Sequence, residues 1–109
     1  MDHYGGKRGK LVRDRIPQII REGGAEPLTY IASSQEYRER LRDKLCEEAA
    51  EVREADDDRA PEELADVLEV VRALAADLGI DTDQLEKIRE AKANERGGFS
   101  DRIVWTGIR

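Results

Sequence analysis

Histidine and cysteine are nearly absent from this sequence: one of each, His3 and Cys46, in 109 residues. A single cysteine excludes an intramolecular disulfide, and with it the small secreted folds that depend on such bridges. A single histidine excludes zinc sites built on several imidazoles and leaves Ser/His or Cys/His dyads almost without material. His3 lies in a glycine-rich start and carries no expected chemistry, while Cys46, with no histidine nearby, reads as structural. Any metal chemistry must therefore rest on oxygen ligands. Aromatic residues are also scarce, at 5% against 40% charged residues, a balance that suits helices with long solvated faces better than a β-sandwich. No apolar run approaches the roughly 20 residues a membrane-spanning helix needs. The polar start MDHYGGKRGK does not resemble a signal peptide, so a soluble cytoplasmic protein is expected.

The net charge is −6, which argues against a binder of nucleic-acid polymers or anionic membranes. A phosphate ligand is compatible with that charge when a cation mediates. One domain is expected from the length, with a core small enough that oligomerisation would complete it.

Residues 1–9 hold three glycines and read as a flexible arm, with the domain running over 10–109. Leu11, Val12, Ile16, Ile19 and Ile20 recur at near-helical spacing, and Pro17 fits a first turn, so a short helix is expected from about Arg15 to Glu22, ended by Gly23-Gly24. AEPLTYIAS is mildly β-like, and Ser33 or Ser34 then offers an N-cap for a helix from Gln35 to about Ala55. Pro61, Glu62 and Glu63 suit the first turn of a helix reaching Leu78, closed by Gly79. Asp81 caps a last helix through about Glu95, ended by Gly97-Gly98. The tail FSDRIVWTGIR reads as a short extended piece covering the core, with Trp105 a core or interface residue.

On the first long helix Tyr37, Leu41, Leu45, Ala49 and Val52 share one arc, and Glu48 projects from inside it. Glu51 sits one turn on at the edge of the arc, and Glu47 points to the polar side. On the next helix Leu64, Val67, Leu68, Val71, Leu74, Ala75 and Leu78 form a broad stripe, with Glu63 and Asp66 along one side at i and i+3. The short linker makes the two helices antiparallel, and both acidic pairs lie a turn or two from it, at matching heights. Carboxylates converging in a partly buried space repel one another and lose solvation, a conflict that a divalent cation removes. With oxygen ligands alone, Mg²⁺ is the expected ion and Mn²⁺ the alternative, with substrate phosphate oxygens as further ligands.

Glu47-Glu48-Ala-Ala-Glu51 followed by Glu62-Glu63-Leu-Ala-Asp66 resembles the E-E-x-x-E…E-E-x-x-D signature of the MazG-like all-α nucleoside triphosphate pyrophosphohydrolases. KLVRDRIPQII (10–20) and KANERGGFSDRI (92–103) resemble the flanks of their phosphoribosyl-ATP pyrophosphohydrolase-like branch. The resemblance implies an all-α antiparallel helical bundle completed by oligomerisation, as a homodimer or homotetramer with sites shared between chains. It implies hydrolysis of a nucleotide to a monophosphate and pyrophosphate on Mg²⁺ held by Glu48, Glu51, Glu63 and Asp66, with Glu47 in a supporting part. Glu48 or Glu51 is the leading candidate for the base. Family members often carry an aromatic or aliphatic residue where this sequence has Glu69.

Since substrate and protein are both acidic, binding also needs placed cations, and Lys10, Arg13, Arg15, Lys92 and Arg96 are the candidates. Two rival readings stand beside housecleaning of non-canonical nucleotides. One is phosphoribosyl-ATP hydrolysis in histidine biosynthesis, which the KLVRDRIP flank disfavours. The other is a non-catalytic helical module that binds metal and oligomerises.

Overall fold

The protein is described by a computed structural model covering residues 9–109. The expected arm and His3 therefore lie almost wholly outside the described residues. The described chain forms α1 (Ile16–Glu22), α2 (Ser34–Glu54), α3 (Ala60–Asp77) and α4 (Thr82–Arg96), with no strand among the described residues. The all-α expectation holds, and each helix begins and ends within a residue or two of its expected limits.

Local chemistry accounts for those limits. Ser33 caps α2 by accepting from Glu36 N at 3.2 Å. Asp81 and Gln84 form a reciprocal capping box at the start of α4, at 2.8 and 2.9 Å. Pro17 and Pro61 occupy first turns, where a missing N–H costs nothing. Gly79, at φ 79°, takes the left-handed conformation that turns the chain out of α3 and toward α4. AEPLTYIAS forms no strand, having no partner strand to pair with.

α2 and α3 pack along each other and run antiparallel: Arg38, near the start of α2, donates through Nε to Asp77, the last residue of α3, at 2.7 Å. Leu41 on α2 and Val70 and Ala75 on α3 are buried. The stripe residues Tyr37, Leu45, Val52, Val67, Val71 and Leu74 are only half-buried. Ala49, Leu64, Leu68 and Leu78, expected in the same stripes, are exposed.

The reason is geometric. α4 meets α3 at a few positions and makes no contact with α2, so no third helix lies over the α2–α3 pair. For the same reason the tail does not cover the core as the sequence suggested. Phe99, Ile103, Val104, Trp105 and Ile108 all stand in solvent, and Trp105 Nε1 donates only to the nearby Gly107 carbonyl at 2.8 Å. Cys46, read as structural, is exposed on α2.

A second device ties the start of the chain to α2. Arg40, buried, donates through Nε to Glu36 Oε2 at 2.7 Å, through Nη1 to the Gly9 carbonyl at 2.8 Å and through Nη2 to Tyr30 Oη at 3.1 Å. Tyr30 Oη in turn donates to Glu36 Oε2. One helix turn thereby holds both the segment before α1 and the loop after it. The i,i+4 spacing of Glu36 and Arg40 was the available sequence signal, but burial gives the pair its weight, and burial could not be read from spacing.

Candidate metal centre

The antiparallel packing of α2 on α3 brings together three of the four expected ligands. One carboxylate oxygen each from Glu48, Glu63 and Asp66 lie within 4.8 Å of one another, all three residues being partly buried. Glu48 comes from the apolar arc of α2, and Glu63 and Asp66 stack one turn apart on α3. Helix geometry thus supplies two ligands on one rigid element and a third across the interface. Glu51 lies outside this trio and is exposed. Glu47 is exposed as well, its carboxylate 3.7 Å from Lys44 Nζ. Glu69 is exposed, one turn beyond Asp66 on α3.

Each member of the trio is also met by a cation from the chain. Lys44 Nζ lies 3.3 Å from Glu48 Oε1, and Arg59 Nη2 lies 3.7 Å from Glu63 Oε1, both at i,i+4 within or entering a helix. Arg13 Nη2 donates to Asp66 Oδ1 at 2.6 Å from a segment 53 residues away in sequence. Lys44 and Arg59 were not anticipated from the sequence. Their signal was the four-residue spacing to Glu48 and Glu63, which charge-rich helices also show on ordinary solvated faces.

Of the expected phosphate-binding residues, only Arg13 reaches the trio. Lys10 and Arg15 flank it on the same segment and are exposed. Lys92 and Arg96 stand exposed on the last turns of α4, and neither forms an ion pair with the carboxylates. Two surface clefts lie elsewhere, one at the α3–α4 turn beside Arg72, Ile80 and Leu85, the other at the start of α2 beside Arg38 and Arg42.

The donor set fits a hard divalent cation: three carboxylates, no nitrogen or sulfur donor, and partial burial that leaves room for water and substrate oxygens. Residues 14–93, most of the chain and the whole of the trio, match the phosphoribosyl-ATP pyrophosphohydrolase family. The chain belongs to that family. The match spans α1 through nearly all of α4, so the phosphoribosyl-ATP pyrophosphohydrolase domain and the α2–α3 pair with its carboxylates are one unit.

Among individual proteins, an uncharacterized protein of Mycolicibacterium smegmatis is 51% identical over 47 residues, which are 43% of this chain and 48% of the relative. The matched region spans about half the length of that relative. No solved structure matches the chain. Among the described residues no helix is long and apolar enough to cross a membrane.

Proposed function

We propose that this protein is a cytoplasmic, Mg²⁺-dependent hydrolase of nucleoside triphosphates, non-canonical ones included, releasing a monophosphate and pyrophosphate. The observation that carries the reading is the convergence of Glu48, Glu63 and Asp66 from two helices, inside a region that matches a pyrophosphohydrolase family. Those three residues would hold the cation, with Mn²⁺ as the alternative. Bound there, it supplies Lewis acidity toward the phosphoryl oxygens and orients a water.

The chain's own residues supply the rest. Glu51, one turn beyond Glu48 and solvent-accessible, accepts the proton of the attacking water. The water oxygen bonds to phosphorus, the bridging P–O bond between the α and β phosphates breaks, and pyrophosphate leaves. Glu47 keeps Lys44 beside the site rather than contacting substrate. Arg13, with Lys10 and Arg15 exposed on the same segment, would contact the phosphates.

The active form is an oligomer. A folded monomer of 12.4 kDa would expose about 6,100 Å² by the usual scaling, whereas this chain exposes 9739 Å². Its radius of gyration is 17.9 Å, against about 13 Å for a compact domain of this length. Leu64 and Leu68 on α3, Ile88 on α4 and the tail residues from Phe99 to Ile108 are the apolar surface that a second copy would bury. Lys92 and Arg96, exposed on α4, would serve the carboxylate cluster of another chain.

The test is a panel of nucleoside triphosphates with Mg²⁺, including deaminated and oxidised bases, scored by pyrophosphate release. Turnover of one or more is expected, and release from none would sink the reading. Phosphoribosyl-ATP belongs in the panel as the second reading, because the matching family carries that description. Solution mass is the companion measurement, and a stable monomer near 12.4 kDa would refute the shared site.

A further inference from the structure

Three carboxylates meet at the candidate centre, and three cations meet them one to one: Lys44 with Glu48, Arg59 with Glu63, Arg13 with Asp66. The three pairs are not alike. Lys44 reaches the carboxylate four residues further along its own helix, and Arg59 reaches Glu63 from the N-cap position just before α3, so both pairs follow from local backbone geometry. Arg13 comes from an irregular segment outside both helices, and its 2.6 Å contact with Asp66 is the shortest of the three.

That segment is tethered on both sides of Arg13. Four residues before it, the Gly9 carbonyl accepts from buried Arg40; immediately after it, the Arg13 carbonyl accepts from Ile16 N at 3.0 Å, starting α1. The side chain between these anchors is 58% exposed and Asp66 40% exposed, so the guanidinium is held near the carboxylate yet has solvent to turn into. Arg also presents several N–H donors in a planar fork, suited equally to carboxylate and to phosphate oxygens.

We infer that Arg13 is an exchangeable counter-cation: it and the divalent ion are alternative partners of Asp66, and the guanidinium released from Asp66 turns to a phosphate oxygen of the incoming polyphosphate. This rests on the pyrophosphohydrolase reading above and adds to it a specific order of partners. Arg13 is a positioning group for Asp66 in one state and a phosphate contact in the other. Exchanging the guanidinium for a divalent ion takes the trio with its cations from neutral to one net positive charge, which matters in an acidic chain that must bind an acidic substrate. Lys44 does not exchange, because it is carried by the helix that carries Glu48, and Arg59, 3.7 Å from Glu63 and 70% exposed, is too loosely placed to compete with the ion.

The test uses the full chain and Mn²⁺ or Mg²⁺ alone, without nucleotide. Mn²⁺ affinity is measured by calorimetry for the wild type, for Arg13→Ala and for a control, Arg21→Ala, which removes a cation paired with Glu26 on α1. Arg13→Ala is expected to bind Mn²⁺ about two- to fivefold more tightly, the range of a solvent-accessible ion pair that no longer competes. Arg21→Ala should match the wild type. In parallel, the Arg13 Nε–H resonance, assigned by its loss in Arg13→Ala, is followed during Mg²⁺ titration and is expected to move to the position of a solvated guanidinium.

If Mg²⁺ binds and this resonance stays in place, Arg13 remains on Asp66 and the exchange is overturned. Unchanged or weaker Mn²⁺ binding by Arg13→Ala overturns it too. Failure of every variant to bind either ion would instead remove the metal-centre reading on which the inference stands.

Discussion

Replacing Arg40 by Met should cost the fold more than any other single change of a charged residue. Arg40 and Glu36 have side chains only 8% and 9% exposed, and among the described residues the guanidinium makes three hydrogen bonds that join α2, the Gly9 carbonyl and Tyr30. Removing the cation takes from a buried carboxylate its charged partner while the Tyr30 hydroxyl still donates to it, a change worth about 3 kcal/mol, the lower end for losing one partner of a buried pair. Domain stabilities are about 5–15 kcal/mol, so the variant gives up about a fifth or more of a typical total. With a urea slope of about 1.5 kcal/mol/M, reasonable for a chain this size, the midpoint should fall by about 2 M. The assay is urea unfolding followed by helical circular dichroism at fixed protein concentration, which matters where assembly contributes to stability. The informative comparison is Glu36→Met/Arg40→Met, which removes both charges and should recover most of the loss. A midpoint shift under about 0.5 M in Arg40→Met, or a double variant no better than the single one, would refute the claim that the pair is energetically buried.

Two further outcomes are expected. Glu48→Gln should abolish pyrophosphate release while the unfolding free energy from urea titration stays within about 0.5 kcal/mol of wild type or rises, because a neutral amide relieves repulsion from Glu63 and Asp66 as it forfeits the Lys44 pair; retained activity would remove Glu48 from the metal set. Tyr30 should ionise above its ordinary value of 10, chiefly because its hydroxyl donates to the Glu36 carboxylate, with burial adding and Arg40 opposing. The protonated phenol is the form the fold prefers, so its contribution to stability is fully present below pH 10 and is lost as pH rises through the raised value. Absorbance at 295 nm, compared between wild type and Tyr30→Phe, measures this, and a Tyr30 titrating at or below 10 would contradict the geometry.

The readings that succeeded were those governed by neighbours in sequence. Ser33, Asp81, Pro17, Pro61 and Gly79 act within a turn of themselves, so helix limits follow from them. Glu48 was legible as anomalous because an acid inside an apolar arc contradicts its surroundings at every helical repeat. Its meeting with Glu63 and Asp66 followed from two helices, a short linker and matched heights. The readings that failed depended on a third body. The tail was expected over the core because its apolar residues needed cover, yet α4 stays off α2 and leaves no groove beneath them. Leu64 and Leu68 belong to a genuine stripe, but a periodic pattern states only that a face is apolar, not which surface covers it.

By itself, then, the sequence determined the four helices, the antiparallel hairpin at the centre and the oxygen-only character of any ligand set there. Periodicity, caps and the lack of histidine and cysteine act locally or by exclusion, and need no knowledge of distant contacts. Only the tertiary structure decided which acids share a centre, placing Glu51 outside a trio that its spacing alone would have joined. It also decided that Arg40 is buried, that Arg13 reaches Asp66 across 53 residues, and that the tail stands in solvent. Each of these is a matter of relative placement between elements. An angstrom-scale displacement of one helix against another rewrites such contacts without altering a single residue.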